Sequence, residues 1–176
     1  MGADNEQRSP DEVRSFFSTW LAANNGGDWE TVAEMMHPDI VLVDPMMPAP
    51  AYGRAAAVER ARGQYEPFAD GIVTMLGDPF VALEEPELAY RWRFDGTHTE
   101  AIDPPGFAAT GERVSVEGTS VLRFDGDQVV SVHLYFDTTE VARQLLAAPP
   151  SGSVLERVVA LGQRVRVKVR RRVRRT

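Results

Sequence analysis

The sequence contains no cysteine among its 176 residues. Disulfide bonds, thiol catalysis and cysteine-ligated zinc are therefore excluded, and we expect a reducing, cytoplasmic location. The sequence also lacks any run of about 18 apolar residues, so it predicts no membrane-spanning helix. The polar and acidic start MGADNEQRSPDEV contains no apolar stretch, and we expect no secretory signal there.

Motifs for metals and phosphates are absent as well. No set of His, Asp and Glu residues has metal-ligand spacing, and the sequence has neither a serine elbow nor a phosphate-binding glycine loop. We therefore predict no metal and no cofactor. What the chain does have is 43% hydrophobic residues, enough for one domain with a sizeable core.

Charge is distributed unevenly along the chain. The net charge is −7, but residues 153–176 carry nine Arg or Lys and one Glu, a net +8 that leaves −15 for the rest. An acidic body repels nucleic acid, so contact with nucleic acid or an anionic membrane is predicted through the basic end only.

Composition divides the chain into four segments. We predict a disordered N-terminus at 1–8, a domain at 9–147, a linker at 148–153 and a basic tail at 154–176. The tail has apolar residues at helical spacing between its basic ones, so it is either an amphipathic helix or disordered.

Helical patterns come first in the domain. Ser9, Pro10 and Glu12 form a capping signature, and apolar residues then recur at helical spacing as far as Gly26. A short second helix follows from about Asp28. The remaining predicted helices cover about 54–68 and 138–146.

Strand patterns dominate from residue 71 onward. Apolar and polar residues alternate, as in half-buried antiparallel strands, and the predicted strands are 39–44, 71–85, 87–94, 112–124 and 128–136. This order predicts an α+β fold, a cone-shaped α+β barrel in which N-terminal helices pack on a strongly curved, mostly antiparallel sheet. The apolar interior of such a cone is a natural small-molecule site.

Asp44 ends the first predicted strand, in the segment IVLVDP. Alternation places Ile40, Leu42 and Asp44 on one face, which is buried if the helices cover it. A carboxyl group removed from water holds a proton more readily, and can take and return one near neutral pH. The alternative is an Asp-Pro turn at the end of an edge strand.

Three stretches carry a resemblance to a known family: FFSTWLAANNGGDWETVAEMMHPDIVLVDP, GTHTEAIDPPGFAATGERVSVEGTSVLRFDGDQVVSVHLYFD and ARQLL. Over roughly residues 10–147 the chain resembles the SnoaL-like polyketide cyclase and ketosteroid isomerase branch of the nuclear transport factor 2-like superfamily. The resemblance implies a cone-shaped fold, and it implies a homodimer, because sheets of the family often pair back to back.

The same resemblance suggests functional residues. Asp44 occupies the position of the isomerase general base, whereas Trp20 and Ser120 stand where the isomerase has a tyrosine and a protonated aspartate. Leu134 stands at the position of the cyclase carboxylate, on a strand face predicted to contain Val130, Val132 and Phe136 as well.

Two further residues are candidates for catalysis. His98 lies in the family motif GTHT, where it is either catalytic or a turn residue that bonds the backbone. Asp137 is either catalytic or the cap of a capping box in which Glu140 returns the hydrogen bond. An epoxide hydrolase of this fold would need an Asp-Arg-Asp set, for which Asp44, Arg93 and Asp137 supply the residue types.

The predicted ligand is a small apolar or polycyclic compound, because the remaining candidates are mostly apolar or aromatic. The predicted pocket residues are Trp20, Met46, Tyr52, Tyr65, Trp92, Ser120, Val132, Leu134 and Phe136. The favoured function is cofactor-independent proton transfer, an isomerisation or cyclisation of a ketone-containing polycycle or polyketide. The alternatives are an epoxide hydrolase and a protein that only binds a hydrophobic ligand or dimerises.

Overall fold

The structure, a computed structural model, describes residues 8–103, 106–149, 151–154 and 161. Within these residues the helices are α1 (Pro10–Gly26), α2 (Trp29–Met35), α3 (Arg54–Tyr65) and α4 (Thr138–Gln144). The strands are β1 (Met36–Val43), β2 (Ala51–Tyr52), β3 (Ile72–Met75), β4 (Phe80–Val81), β5 (Glu87–Thr97), β6 (Arg113–Asp125) and β7 (Gln128–Phe136). Residues 1–7 of the predicted N-terminal segment and most of the predicted tail lie outside the described residues.

The first helix begins as its sequence predicts. Ser9 accepts a hydrogen bond from the backbone of Glu12, whose side chain accepts one from the backbone of Ser9 in return. The helix ends at Gly27, which adopts a left-handed conformation with φ of 66°. The apolar face of α1 is buried in the core, including Phe17 and Trp20. None of the described helices is both long and apolar enough to cross a membrane.

One mixed sheet contains all seven described strands. Its order is β2-β1-β7-β6-β5-β3, with β4 also paired to β5. Only the pair β1–β7 is parallel among these pairings, and the others are antiparallel. The described strands do not close into a full barrel, and together with the helices they form the predicted α+β cone.

Alternation assigns the two faces of the long strands. On β5 Leu88, Tyr90 and Trp92 are buried in the core, whereas the intervening Arg91 and Arg93 are exposed. The inner face therefore presents apolar and aromatic side chains to the helices, and the outer face is charged.

A bulge changes the alternation on β7. Arg123 pairs with Ser131, but the next residue of β6, Phe124, pairs with Val129. Two residues of β7 thus face one of β6, which reverses the faces beyond this point. The prediction that Val130 shares the inner face with Val132 is therefore wrong, because Val129 is fully buried in its place.

Two predicted element boundaries also shift for local reasons. The third helix ends at Tyr65 rather than Phe68. Glu66 still has helical backbone angles, but Pro67 follows it and has no N–H to continue the helical hydrogen bonds. The predicted strand at 71–85 is divided into β3 and β4, with Gly77 between them at φ of 79°. A side chain at that position would be strained, so glycine permits the turn.

Candidate ligand pocket and buried polar groups

A cavity of about 160 Å³ lies between the helices and the inner face of the sheet. Its wall contains residues of α1, α3, α4, β1, β5, β6 and β7, most of them apolar. Apolar cavities of about 150 Å³ hold a single benzene ring. The cavity in this conformation therefore matches a one-ring ligand, and the predicted polycycle would require its side chains to move.

Eight of the nine predicted pocket residues line this cavity. They are Trp20, Met46, Tyr65, Trp92, Ser120, Val132, Leu134 and Phe136. The prediction for Tyr52 is wrong. Its side chain is 69% exposed and borders a separate surface hollow beside Pro38 and Arg54, because the short strand β2 lies at the edge of the sheet.

Asp44 lines the cavity and is buried, in agreement with the predicted face of β1. Only 4% of the residue is exposed. Its Oδ2 accepts hydrogen bonds from Nε of Arg60 and Nε2 of Gln64, each at 2.9 Å, and the Arg60 Nη2 is 2.8 Å from the same oxygen. Its Oδ1 accepts one hydrogen bond, from the backbone N–H of Met46 at 2.8 Å. Asp44 therefore forms the predicted alternative, an Asp-Pro turn, and also belongs to the cavity wall.

Arg60 and Gln64 were not among the candidates predicted from the sequence. These residues are four positions apart on α3 and so lie on one face of the helix, directed toward Asp44. The four-residue spacing of Arg60 and Gln64 can be read from the sequence. However, Arg54 and Arg62 lie on the same helix, and the sequence does not reveal which of the three arginines faces inward. The structure pairs Arg60 with a buried carboxylate, and the pair of charges anchors α3 to the end of β1.

A second polar region of the cavity wall lies on β5 and β6. Tyr90 and Ser120 are directly paired across these strands and are both buried. Nε1 of Trp92 donates a hydrogen bond to Oγ of Ser120 at 2.9 Å. Trp20 reaches the same region from α1, and its side chain lies beside that of Tyr90.

Burial dominates the ionisation of the two cavity tyrosines. Burial raises the pKa of Tyr90, and the polar groups of the nearby Trp20 and Ser120 side chains act in the opposite direction. Burial also raises the pKa of Tyr65, with a further contribution from the nearby Tyr90. Both phenols are therefore neutral hydrogen-bond donors at physiological pH.

Gly118 makes the position of Trp92 possible. The two residues are paired across β5 and β6, and a Cβ atom on residue 118 would lie 2.4 Å from the Trp92 ring. The indole ring thus occupies the space above the glycine and directs its N–H to Ser120. Neither Gly118 nor Tyr90 was among the candidates from the sequence.

Asp137 caps the last helix and does not line the cavity. Its carboxylate accepts hydrogen bonds from the backbone N–H groups of Glu140 and Thr139, and these bonds lower its pKa. The reciprocal half of the predicted capping box is absent from this turn. The Glu140 carboxylate instead accepts hydrogen bonds from Arg143 and Gln144.

His98 is completely buried but lies outside the cavity wall. Its Nδ1 accepts a hydrogen bond from the backbone N–H of Thr110 at 3.3 Å and is 3.1 Å from the Thr110 hydroxyl. Burial lowers its pKa. The structure thus connects the two ends of the loop between β5 and β6 through His98, in line with the predicted turn role.

Asp44, Arg93 and Asp137, the residues that an epoxide hydrolase would need, do not lie together in the structure. Arg93 points to the outer face of the sheet and pairs with Asp95 at 3.0 Å. Asp44 pairs with Arg60, and Asp137 caps α4. Among the described residues there is also no group of three or more His, Asp or Glu that could hold a metal ion.

Comparison with known proteins gives this architecture a family. The family described as SnoaL-like polyketide cyclase matches residues 11–145, which are most of the chain. The chain belongs to the SnoaL-like polyketide cyclase family. Among curated proteins, none matches the chain.

Solved structures agree with the family at the level of the fold. TsrD from Streptomyces laurentii is 22% identical, with a TM-score of 0.67, over 81% of this chain and 100% of its own. A protein from Jannaschia sp. CCS1, provisionally assigned as a SnoaL-like polyketide cyclase, is 19% identical with a TM-score of 0.68, over 85% of this chain and 100% of its own. AclR from Streptomyces galilaeus, provisionally assigned as a hydroxylase, is 24% identical with a TM-score of 0.65, over 80% and 100%. At these identities the likeness shows the fold alone.

Proposed function

We propose that the protein binds a small ring-bearing ketone in the cavity and transfers a proton on it, as a first step of isomerisation or cyclisation, without a cofactor. The observation that carries this proposal is a buried carboxylate, Asp44, in the wall of an otherwise apolar cavity. Membership of the SnoaL-like family supports the same class of compound, an apolar ketone of the polyketide type.

The shape and lining of the cavity support binding. Apolar side chains of α1, β5, β6 and β7 surround the space, and a ligand there gains from leaving water. The volume of about 160 Å³ favours a compound with one ring over a fused tetracycle.

The two oxygens of Asp44 differ in how they are occupied. Oδ2 contacts both Arg60 and Gln64, whereas Oδ1 accepts one hydrogen bond, from Met46. A carboxylate oxygen has two lone pairs, so Oδ1 is the atom that we assign to the proton.

The proposed step breaks the C–H bond next to the ketone carbon. The proton moves to Oδ1 of Asp44, and the electron pair of the C–H bond forms the C=C bond of an enolate, whose oxygen carries the negative charge. Return of the proton at another carbon completes an isomerisation, and attack of the enolate carbon on a second carbonyl of the substrate completes a cyclisation. Proton transfer of this kind needs one base and one donor at the developing oxyanion.

Hydrogen exchange tests the proton transfer directly. Acetophenone is incubated with the protein in D2O, and the loss of its methyl protons is followed by NMR. We expect wild-type protein to accelerate the exchange and Asp44→Asn to lower the acceleration by about 100-fold or more, because a general base contributes at least that factor. Asp39→Asn is the matched control, because Asp39 is an exposed carboxylate on the same strand.

A second candidate function is binding without chemistry. It is favoured by the contacts of Asp44 itself, because Arg60, Gln64 and the Met46 N–H already engage the carboxylate as a structural anchor. If acetophenone binds but its exchange is the same with wild-type protein and Asp44→Asn, the proton-transfer proposal fails and this second function stands.

A further inference from the structure

The hydrogen bond next to Tyr90 has a direction, which follows from the chemistry of its donor. An indole N–H can donate a hydrogen bond and cannot accept one. Nε1 of Trp92 donates to Oγ of Ser120, so this contact occupies one lone pair of the Ser120 oxygen. Ser120 is the cross-strand neighbour of Tyr90.

Trp20 also lies beside the Tyr90 side chain, and an indole N–H can only donate. Trp20 therefore offers the Tyr90 oxygen a donor and offers its proton no acceptor.

The remaining hydrogen-bonding group is the Tyr90 proton itself. Tyr90 is 6% exposed and lines the cavity, and the hydrogen bonds found in the described part of the chain provide no acceptor for its O–H. Burying a hydroxyl donor without an acceptor costs about 1–3 kcal/mol. A ligand that brings an acceptor into the cavity removes this penalty.

We propose that Tyr90 binds the carbonyl oxygen of the ligand through its phenol proton, with the neighbouring Ser120 and Trp20 acting as positioning residues for the phenol ring. The predicted ligands are therefore apolar one-ring compounds that contain a hydrogen-bond acceptor. A hydrocarbon of the same shape should bind more weakly. This assignment rests on the proposed function only in placing the ligand in the cavity.

As negative charge develops on the carbonyl oxygen, the hydrogen bond from Tyr90 strengthens. Tyr90 would then favour the enolate over the ketone.

The test compares a ketone with a hydrocarbon of nearly the same shape. Dissociation constants of acetophenone and ethylbenzene are measured for the full chain by ligand-observed NMR, with wild type, Tyr90→Phe and Ser120→Ala. For Tyr90→Phe we expect acetophenone to bind about twofold to tenfold more weakly, the loss expected for one hydrogen bond, with ethylbenzene unchanged or tighter. Ser120→Ala should weaken acetophenone binding in the same direction by a smaller factor.

Two further phenols provide matched controls. Tyr135→Phe removes a hydroxyl from the exposed outer face of the sheet and should leave both dissociation constants unchanged. Tyr65→Phe tests the other cavity hydroxyl. If Tyr65→Phe weakens acetophenone selectively and Tyr90→Phe does not, the assignment to Tyr90 is overturned.

The infrared spectrum of acetophenone bound to the wild-type protein tests the proposal without relying on a variant that folds. The carbonyl stretch of bound acetophenone should lie at lower wavenumber than in an apolar solvent, and Tyr90→Phe should remove this shift. An unshifted carbonyl in the wild-type complex overturns the inference while leaving ligand binding intact. If neither probe binds, both the inference and the proposed function fail.

Discussion

The cavity contains two polar regions, which differ in whether their hydrogen-bonding groups already have partners in the protein. At the end of β1, Asp44 is surrounded by donors from its own chain, and the charge of its carboxylate is balanced by Arg60. On β5 and β6, Trp92 donates to Ser120, and the neighbouring Tyr90 hydroxyl takes part in none of the hydrogen bonds of the described residues. The first region is nearly complete without a ligand, and the second is not.

This difference assigns separate tasks to the two regions. A buried ion pair whose charges are balanced holds secondary structure elements together, and its loss affects folding first. A buried donor without a partner costs stability, and a ligand that supplies the acceptor removes this cost. Substitutions in the Asp44 region should therefore change stability most, whereas substitutions at Tyr90 should change ligand preference most.

The largest effect is expected from breaking the ion pair. Arg60→Met leaves the buried Asp44 carboxylate without its cation, and a lone buried charge costs about 3–5 kcal/mol of the free energy of unfolding. Urea denaturation measures this loss. Arg62→Met is the control on the same helix, because Arg62 is only half-buried and its surface pair with Glu66 contributes about 1 kcal/mol or less.

A double variant separates the lone charge from the lost packing. Asp44→Leu combined with Arg60→Met removes both charges, and we expect it to recover most of the stability lost in Arg60→Met, because apolar residues can replace a buried ion pair. If Arg60→Met is no less stable than Arg62→Met, the Asp44 region does not anchor α3. The two polar regions of the cavity then do not differ in their effect on stability.

The next effect concerns the second region. In Gly118→Ala the new Cβ atom would lie 2.4 Å from the Trp92 ring, so the indole must move away from Ser120. Overpacking of this kind costs about 1–3 kcal/mol. The variant should also lose the selectivity for acetophenone over ethylbenzene, since the donor that orients Ser120 is displaced.

The indole N–H resonance of Trp92 in a proton–nitrogen NMR spectrum reports this displacement. Gly26→Ala is the control, because nothing lies within 4 Å of a Cβ atom at that position, near the end of α1. Its stability should be unchanged or slightly increased. An unperturbed Trp92 signal in Gly118→Ala would show that the ring does not depend on the glycine.

Much of the fold could be predicted because its signals are local. The cap at Ser9 and the alternation along β5 and β6 are features of neighbouring residues, and both appear in the structure as expected. Asp44 could be placed on a buried face by the same alternation. The bulge in β7 could not be predicted, because an extra residue in one strand is recognised only from how that strand pairs with its neighbour.

The candidate site was predicted less completely because it depends on contacts between distant segments. Arg60 is 16 residues from Asp44 along the chain, and Trp92 is 28 residues from Ser120. The alternation on β5 placed Tyr90 and Trp92 on one face, but the lack of a hydrogen-bond acceptor for Tyr90 is a property of the packed cavity. Tyr52 was misplaced for the corresponding reason, since nothing in its neighbours shows that β2 is an edge strand.

The smallest effect is expected at Asp137, a carboxylate outside both regions. Asp137→Ala removes the cap of α4 and should lower stability at neutral pH while leaving both probe affinities and the hydrogen exchange of acetophenone unchanged. The folded-state pKa of Asp137 is lowered from 3.8 by hydrogen bonds from the Glu140 and Thr139 backbone, so its contribution is fully present above that value and is lost as the pH falls through the folded-state pKa. Thermal melts of wild type and variant should therefore differ at pH 7 and converge in acid. A selective loss of exchange activity in Asp137→Ala would instead return this carboxylate to the catalytic candidates.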